Sequence, residues 1–295
     1  MARLSRQTRV QARAKIRTKA RDKARARVKA VRVDQKAKAK KKKSRLQKRR
    51  DALKGKLIAV DFCTTACCRP KLLNKTYKSF TRNLLGIDYS KSTLYINIDP
   101  IPDGDRDEVI EVAKQYFGNV VANTPEKPNF SKALKWCFLQ PKGDYFFYLQ
   151  DDWVMQNELY ISDMIKHLGT RHYPNGGRSN ERRNSRTIVA VNLRAYKTIR
   201  DNRICLSPVL VSNSWGKRFA KRLNTDFNPE RQTRIKSKKN PHGADANDLG
   251  ASLHLPEKKV IVADTGRKWL NKNNIRRNGN AVKFNGWIKK KAKKK

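Results

Sequence analysis

A chain of 295 residues with 70 Lys plus Arg against 25 Asp plus Glu carries a formal net charge of +45. Its length holds one large domain or two small ones, and a positive field of this size calls for a polyanionic partner, most simply nucleic acid, held through phosphate contacts. No apolar run reaches the roughly 18 residues of a membrane-spanning helix, and the N-terminus lacks the apolar centre of a secretory signal.

Residues 1–54 alternate Ala with Lys and Arg, and residues 1–50 alone hold a net +21. These are helix-forming residue types, but too few apolar side chains accompany them to bury a core. The segment reads as a basic arm, extended or transiently helical until phosphate neutralises it. Residues 289–295 form a Lys-rich tail. Between them, 55–288 has the composition of a folded domain that is itself basic, at about +18.

The folded part opens on a strand at Leu57–Phe62, followed by a loop over Cys63–Pro70 and a helix over Leu72–Leu84. Further strands are expected at Thr93–Asp99, Asn119–Ala122 and Tyr145–Leu149, with helices at Arg106–Phe117 and Phe130–Phe138 between them. Beyond Trp153 the pattern predicts a helix to about Leu168, then a Gly/Asn/Arg-rich loop over Arg171–Arg186. Later strands are expected at Thr187–Leu193, Val209–Val211 and Val260–Asp264, with a polar loop over Lys236–Asp248. Strands alternating with helices imply an α/β domain with a mostly parallel, Rossmann-like sheet flanked by helices, binding ligands at the strands' carboxyl ends. Neither Gly-x-Gly-x-x-Gly nor a P-loop pattern occurs.

Chemistry concentrates where apolar strands end in acids. Asp99 closes one, and Asp151-Asp152 close Tyr145–Leu149 after Gln150. Carboxylates there suit Mg²⁺ or Mn²⁺ shared with a substrate diphosphate, although Asp at a strand end is also an ordinary turn former. Five cysteines, Cys63, Cys67, Cys68, Cys137 and Cys205, form no secreted framework and read as buried reduced thiols.

Taken in order, Arg69-Pro70-Lys71-Leu72-Leu73, Ile96-Asn97-Ile98-Asp99, Asn129–Trp136 and Tyr148-Leu149-Gln150-Asp151-Asp152-Trp153 make the chain resemble the GT-A fold glycosyltransferases, particularly the broad family-two type. The resemblance covers roughly residues 56–168 well and the remainder loosely. It implies a GT-A-like fold and a metal-dependent transfer from a sugar nucleotide, a UDP-sugar before others. It makes Thr64, Thr65, Arg69, Asp99 and Asp151 donor-binding candidates, with Asp152 and Asp151 as metal ligands. Gln150 stands where the family often has an acid, which moves the metal role to Asp152.

The base that deprotonates the acceptor is expected from the second half of the body, at Asp245, Asp248 or Glu230, with Asp245 favoured for its glycine-flanked loop. His254 is the candidate third metal ligand. Arg178, Arg182, Arg183 and Arg186 in the Arg-rich loop, with Arg267 and Lys268, are the candidate nucleic-acid contacts. The charge directs the acceptor expectation to a hydroxylated base in DNA such as a hydroxymethyl-pyrimidine, as in viral DNA-modifying glycosyltransferases; the alternatives are a protein or surface-glycan acceptor, or a non-catalytic nucleic-acid-binding virion protein. The expected location is the cytoplasm, of a host cell for a viral protein, or the nucleus of a eukaryotic host.

Overall fold

A computed structural model describes residues 57–172, 186–193, 204–238, 240–245, 249–255, 261–279 and 284–289, all within one unit spanning Lys56–Lys295. The basic arm over 1–54, the tail past Lys289, and the candidates Asp248, Arg178, Arg182 and Arg183 lie outside the described residues.

The strands are β1 (Asp61–Cys67), β2 (Leu84–Leu85), β3 (Thr93–Asp99), β4 (Asn119–Asn123), β5 (Tyr145–Gln150), β6 (Trp153–Met155), β7 (Leu159–Tyr160), β8 (Arg171–His172), β9 (Arg186–Asn192), β10 (Val209–Ser212), β11 (Ala251–His254), β12 (Val262–Asp264), β13 (Ile275–Gly279) and β14 (Phe284–Lys289). The helices are α1 (Pro70–Asn83), α2 (Arg106–Lys114), α3 (Phe130–Leu139), α4 (Ile161–Ile165), α5 (Asn213–Arg222), α6 (Pro229–Gln232) and α7 (Gly266–Lys272).

The main sheet has the order β11-β9-β10-β5-β1-β3-β4, with β8 appended to β9. Strand β1 lies parallel to β3 and β5, β3 to β4, and β9 to β11, while β10 runs antiparallel to both β5 and β9. The carboxyl ends of β1, β3, β5, β9 and β11 therefore meet along one edge, as the strand–helix alternation requires.

Both faces of the sheet are covered, which explains why its central strands read as nearly continuous apolar runs. Phe62, Phe80, Phe117 and Phe147 pack under α1 and α2, with ring centroids 5.0–5.8 Å apart. On the other face Phe138, Phe146, Tyr148 and Trp215 pack beneath α3 and α5.

Two local expectations change. The first strand continues through Cys67 instead of giving way to a loop at Cys63, because Cys63–Cys67 pair with Tyr95–Asp99 and are buried. Trp153–Met155 is a strand instead of the start of a helix, since these residues pair antiparallel with β12. That pairing carries the C-terminal segment back to the acids that end β5.

Candidate functional site

At the carboxyl edge a cleft of ≈ 510 Å³ opens between β1, β3 and β5 on one side and the segments around α6 and α7 on the other. Its volume falls in the range of small-molecule sites. Thr65, Arg69, Asp99, Gln150, Asp151, Asp152, Glu230 and Arg267 all line it, so most of the sequence candidates converge.

Asp151 is 2% exposed and held on every side. Its Oδ2 accepts from the Cys67 amide and from Arg69 Nε, each at 3.0 Å, and Oδ1 accepts from Arg69 Nη2. Its carbonyl accepts from Thr76 Oγ1 at 2.8 Å. Both carboxylate oxygens are thus committed to β1 and α1, which makes Asp151 the counter-ion of Arg69 and a structural partner of the cleft, not a group open to a cation. Arg69 is equally buried at 5%, and its guanidinium lies 5.3 Å from the Trp269 ring centroid. Burial disfavours its cation, and the carboxylates of Asp151 and Asp152 more than offset this.

Asp152 is placed differently. Its backbone carbonyl accepts from the amide and the hydroxyl of Thr265, both at 2.8 Å, while its side chain keeps 22% of its surface exposed. Oδ2 is 3.4 Å from Arg69 Nη2. Burial, then the neighbouring Asp151 charge, push its carboxyl up to about 6 against the pull of Arg69, and Asp264 pushes the same way. A Cβ built on Gly266 would come 2.1 Å from Asp152 Oδ2, so only glycine lets α7 start against this carboxylate. Asp264, whose Oδ1 accepts from the Gly266 amide at 2.9 Å, also lines the cleft.

The fit to a divalent cation follows from these donors. Among the described residues, no three His, Cys, Asp or Glu side chains gather as a ligand set. Asp152 and Asp264 offer hard oxygens on facing segments, and their mutual repulsion is what a cation relieves. One or two carboxylates completed by diphosphate oxygens and water is the usual arrangement for Mg²⁺.

Asp99 ends β3 at 5% exposure, with Asn97 Nδ2 donating to its Oδ1 at 2.9 Å and Asn123 Nδ2 donating to Asn97 Oδ1 at 2.6 Å. Burial raises its carboxyl to about 6, partly offset by hydrogen bonds from Asn97 and the Asn129 backbone. In the protein without ligand the ionised form is therefore disfavoured, and stability falls as pH rises through about 6. A ligand donating a hydrogen bond to the carboxylate favours ionisation, so affinity moves the opposite way. A nucleotide probe such as UDP, where it donates a hydrogen bond to Asp99, is expected to bind about tenfold more weakly at pH 5 than at pH 7. Asp99→Asn flattens the part of that profile due to Asp99. Isothermal titration across this range checks it, and an unchanged profile in the variant removes Asp99 from the groups that bind the probe.

Several candidates fall elsewhere. Thr64, next to Thr65 on β1, points by strand alternation to the opposite face, where it is fully buried near Tyr77. Thr65 instead shares a 2.8 Å hydrogen bond with the Tyr148 hydroxyl at the cleft. His254 ends β11, three strands beyond β5, with Nε2 3.4 Å from Ser252 Oγ; it is not among the cleft-lining residues. Adjacent strands are about 4.8 Å apart, which sets β11 roughly 14 Å from β5. Arg186 begins β9 at the opposite edge of the sheet. Asp245 and Lys268 are exposed and do not line the cleft, whereas Glu230 does, at the first turn of α6.

Asp264, Asn228 and Phe130 are cleft residues that sequence reasoning misses. The signal for Asp264 matches that for Asp151-Asp152, an apolar run ending in an acid.

No family model matches the chain, and no curated protein matches it. Among solved structures it is similar to residues 1–349 of S. aureus TarS, at 13% identity and a TM-score of 0.43 over 73% of this chain and 63% of that one. It is also similar to the mannosyltransferase PcManGT from Pyrobaculum calidifontis in complex with GDP-Man and Mn²⁺ (10%, TM-score 0.42, 68% and 58%). A third is a cytidylyltransferase from Leptospira borgpetersenii (11%, TM-score 0.41, 72% and 84%). The chain spans 37% of the longer TarS structure and under two thirds of the 1–349 form and of the mannosyltransferase. At identities this low, the cleft's own residues have to carry the chemistry.

Proposed function

We propose that this protein transfers a sugar from a nucleoside diphosphate donor, a UDP-hexose before others, to a hydroxyl on DNA, most simply a hydroxymethyl-pyrimidine base. The observation that carries this reading is the convergence of Asp99, Asp152, Asp264, Glu230 and Arg267 on one cleft at the strands' carboxyl ends. Asp99 accepts hydrogen bonds from ribose or base. Asp152 and Asp264 would hold Mg²⁺ or Mn²⁺, and Arg267 would meet the diphosphate. A bound divalent cation supplies charge neutralisation for the departing diphosphate.

In the transfer, the acceptor oxygen bonds to the anomeric carbon as that carbon's bond to the diphosphate oxygen breaks. The electron pair leaves with the nucleoside diphosphate, and Glu230 takes the acceptor proton. Glu230 is preferred over Asp245 because it lines the cleft. Glu230→Gln should lower transfer about a hundredfold while leaving donor affinity unchanged; a wild-type rate returns the role of base to Asp245 or Asp248. The choice of DNA rests on the net charge of +45, far beyond what a neutral glycan acceptor requires.

The deciding experiment is mass spectrometry of nucleosides from hydroxymethylated DNA incubated with the protein, a panel of sugar nucleotides and Mn²⁺ or EDTA. A nucleoside heavier by one hexose, formed only with metal, is the expected result. Metal-dependent donor hydrolysis without modified nucleosides moves the acceptor to a protein or glycan, and no turnover at all leaves a nucleic-acid-binding protein.

A further inference from the structure

The folded body segregates its charge by helix. Helix α2 mixes signs, with Asp107, Glu108 and Glu111 beside Arg106 and Lys114. Helices α3 and α5 contain no acid and pack side by side on the same face of the sheet. Their inward residues fix them there: Trp215 stacks on Phe219 at 5.1 Å, and Phe138 meets Phe146 at 4.9 Å. Gly216 lets α5 approach closely, since a Cβ there would lie 2.7 Å from the Phe146 ring. These helices expose Lys132 from α3 and Arg218 and Lys221 from α5, with Lys135 and Lys217 half-buried beside them. None of these five forms an ion pair with a described residue.

The ridge also has a direction. Helix α3 begins at the cleft, where Phe130 is part of the lining, and α5 follows the reversed strand β10 and so returns toward the same edge. Asn129 Nδ2 donates to the Thr225 carbonyl at 3.2 Å and Ser131 Oγ donates to the Phe227 carbonyl, tying the start of α3 to the segment that follows α5. That segment continues into Asn228 and Glu230 in the cleft. By this polarity Lys132 and Lys221 stand at the cleft ends of the two helices, beside the Asn129 cap that hydrogen-bonds Asp99 and the segment that leads to Glu230, with Lys135, Lys217 and Arg218 further along the ridge. Two further described helices lack an acid: α1 presents Lys71, Lys75, Lys78 and Arg82 but packs against the acid-bearing α2, and α7 carries Arg267, Lys268 and Lys272 but starts against the Asp152 carboxylate.

We infer that the α3–α5 ridge is the docking surface for the phosphodiester backbone of nucleic acid, leading the strand into the Glu230 side of the cleft. As an acceptor track this rests on the transferase reading above; as a binding surface it stands by itself. Lys and Arg that form no ion pair with a described residue, on two helices without an acid, match phosphate recognition that positions a polymer without reading its sequence.

The test uses the full chain and measures the salt dependence of binding to a short duplex oligonucleotide. Each lost phosphate contact lowers the slope of log K against log salt by about 0.9. The variant Lys132→Gln/Lys135→Gln/Arg218→Gln/Lys221→Gln is expected to lower it by about 3, while Lys71→Gln/Lys75→Gln/Lys78→Gln/Arg82→Gln, with the same charge change, lowers it by about 1 or less. Metal-dependent donor hydrolysis should be unchanged in the ridge variant while transfer to DNA is lost. Equal slopes for the two variants overturn the proposal, as does competition by polyglutamate that equals DNA charge for charge. Absence of donor hydrolysis in the wild type, with the slope difference intact, sinks the transferase reading and leaves the ridge standing.

Discussion

Under the proposed sugar transfer, Asp152→Asn is expected to lower metal-dependent turnover of a sugar nucleotide at least about a hundredfold, the scale on which a lost charge-stabilising group acts in catalysis. The substitution is close to isosteric, and the residue is positioned through its backbone, whose carbonyl accepts two 2.8 Å hydrogen bonds from Thr265. What disappears is the negative charge that, in the proposed mechanism, would draw a cation toward the donor diphosphate. Stability should move the other way. The carboxyl is pushed up to about 6 by burial and by Asp151, with Asp264 adding to the effect, so its ionised form at neutral pH costs the fold energy. Removing that charge should stabilise the metal-free protein by about 1–3 kcal/mol at pH 7, and the gain should vanish below pH 4, where the wild-type group is protonated as well. Loss of turnover with a raised melting temperature in EDTA is the signature of a residue kept for function at the expense of stability. An unaffected rate removes Asp152 from the mechanism; a fall in stability marks it as structural.

The contrast between Asp151 and Asp152 marks how far the sequence could be read. Apolar runs ending in acids located the cleft, because burial on both faces leaves central strands apolar until they emerge at the edge. Asp99 and Asp152 were legible for that reason, whereas Arg69 came from the resemblance of Arg69–Leu73 to a family motif. Which of two adjacent acids faces a ligand was not, since the answer depends on the Cys67 amide and the Arg69 guanidinium meeting Asp151 across 82 or more residues of chain. Thr64 and Thr65 show the same limit from within a strand: alternation sends one to each face, and assigning the face needed the true start of β1. Glu230 was among the candidates, but spacing could not choose it over Asp245 or Asp248, and only the pairing of β12 with β6 brings Asp264 to the cleft.

Breaking the Arg69–Asp151 pair is expected to have the largest effect on folding. Asp151→Ala should destabilise by about 3–5 kcal/mol, because it removes the two-point partner of a buried guanidinium and leaves it only the 3.4 Å contact to Asp152. Domain stabilities run to roughly 5–15 kcal/mol, so such a loss threatens folding at physiological temperature. Arg69 is 5% exposed, contacts Asp151 through two of its nitrogens and stacks on Trp269, which leaves it no route to water by a rotamer change. The Cys67 amide loses its acceptor at the same time. The pair itself is not the source of stability: Arg69→Met/Asp151→Leu should recover most of the loss, since apolar replacement of a buried ion pair is often neutral. Urea denaturation of the two single variants and the double variant closes the cycle, with a coupling of about 2 kcal/mol or more expected between the sites. A single-variant cost below about 1 kcal/mol would mean that the pair is solvated like a surface bridge, and Asp151 would then be free to join Asp152 on the cation. The double variant separates structure from chemistry: it should fold, yet turn over slowly, because Asp152 loses the guanidinium that lies 3.4 Å from its Oδ2.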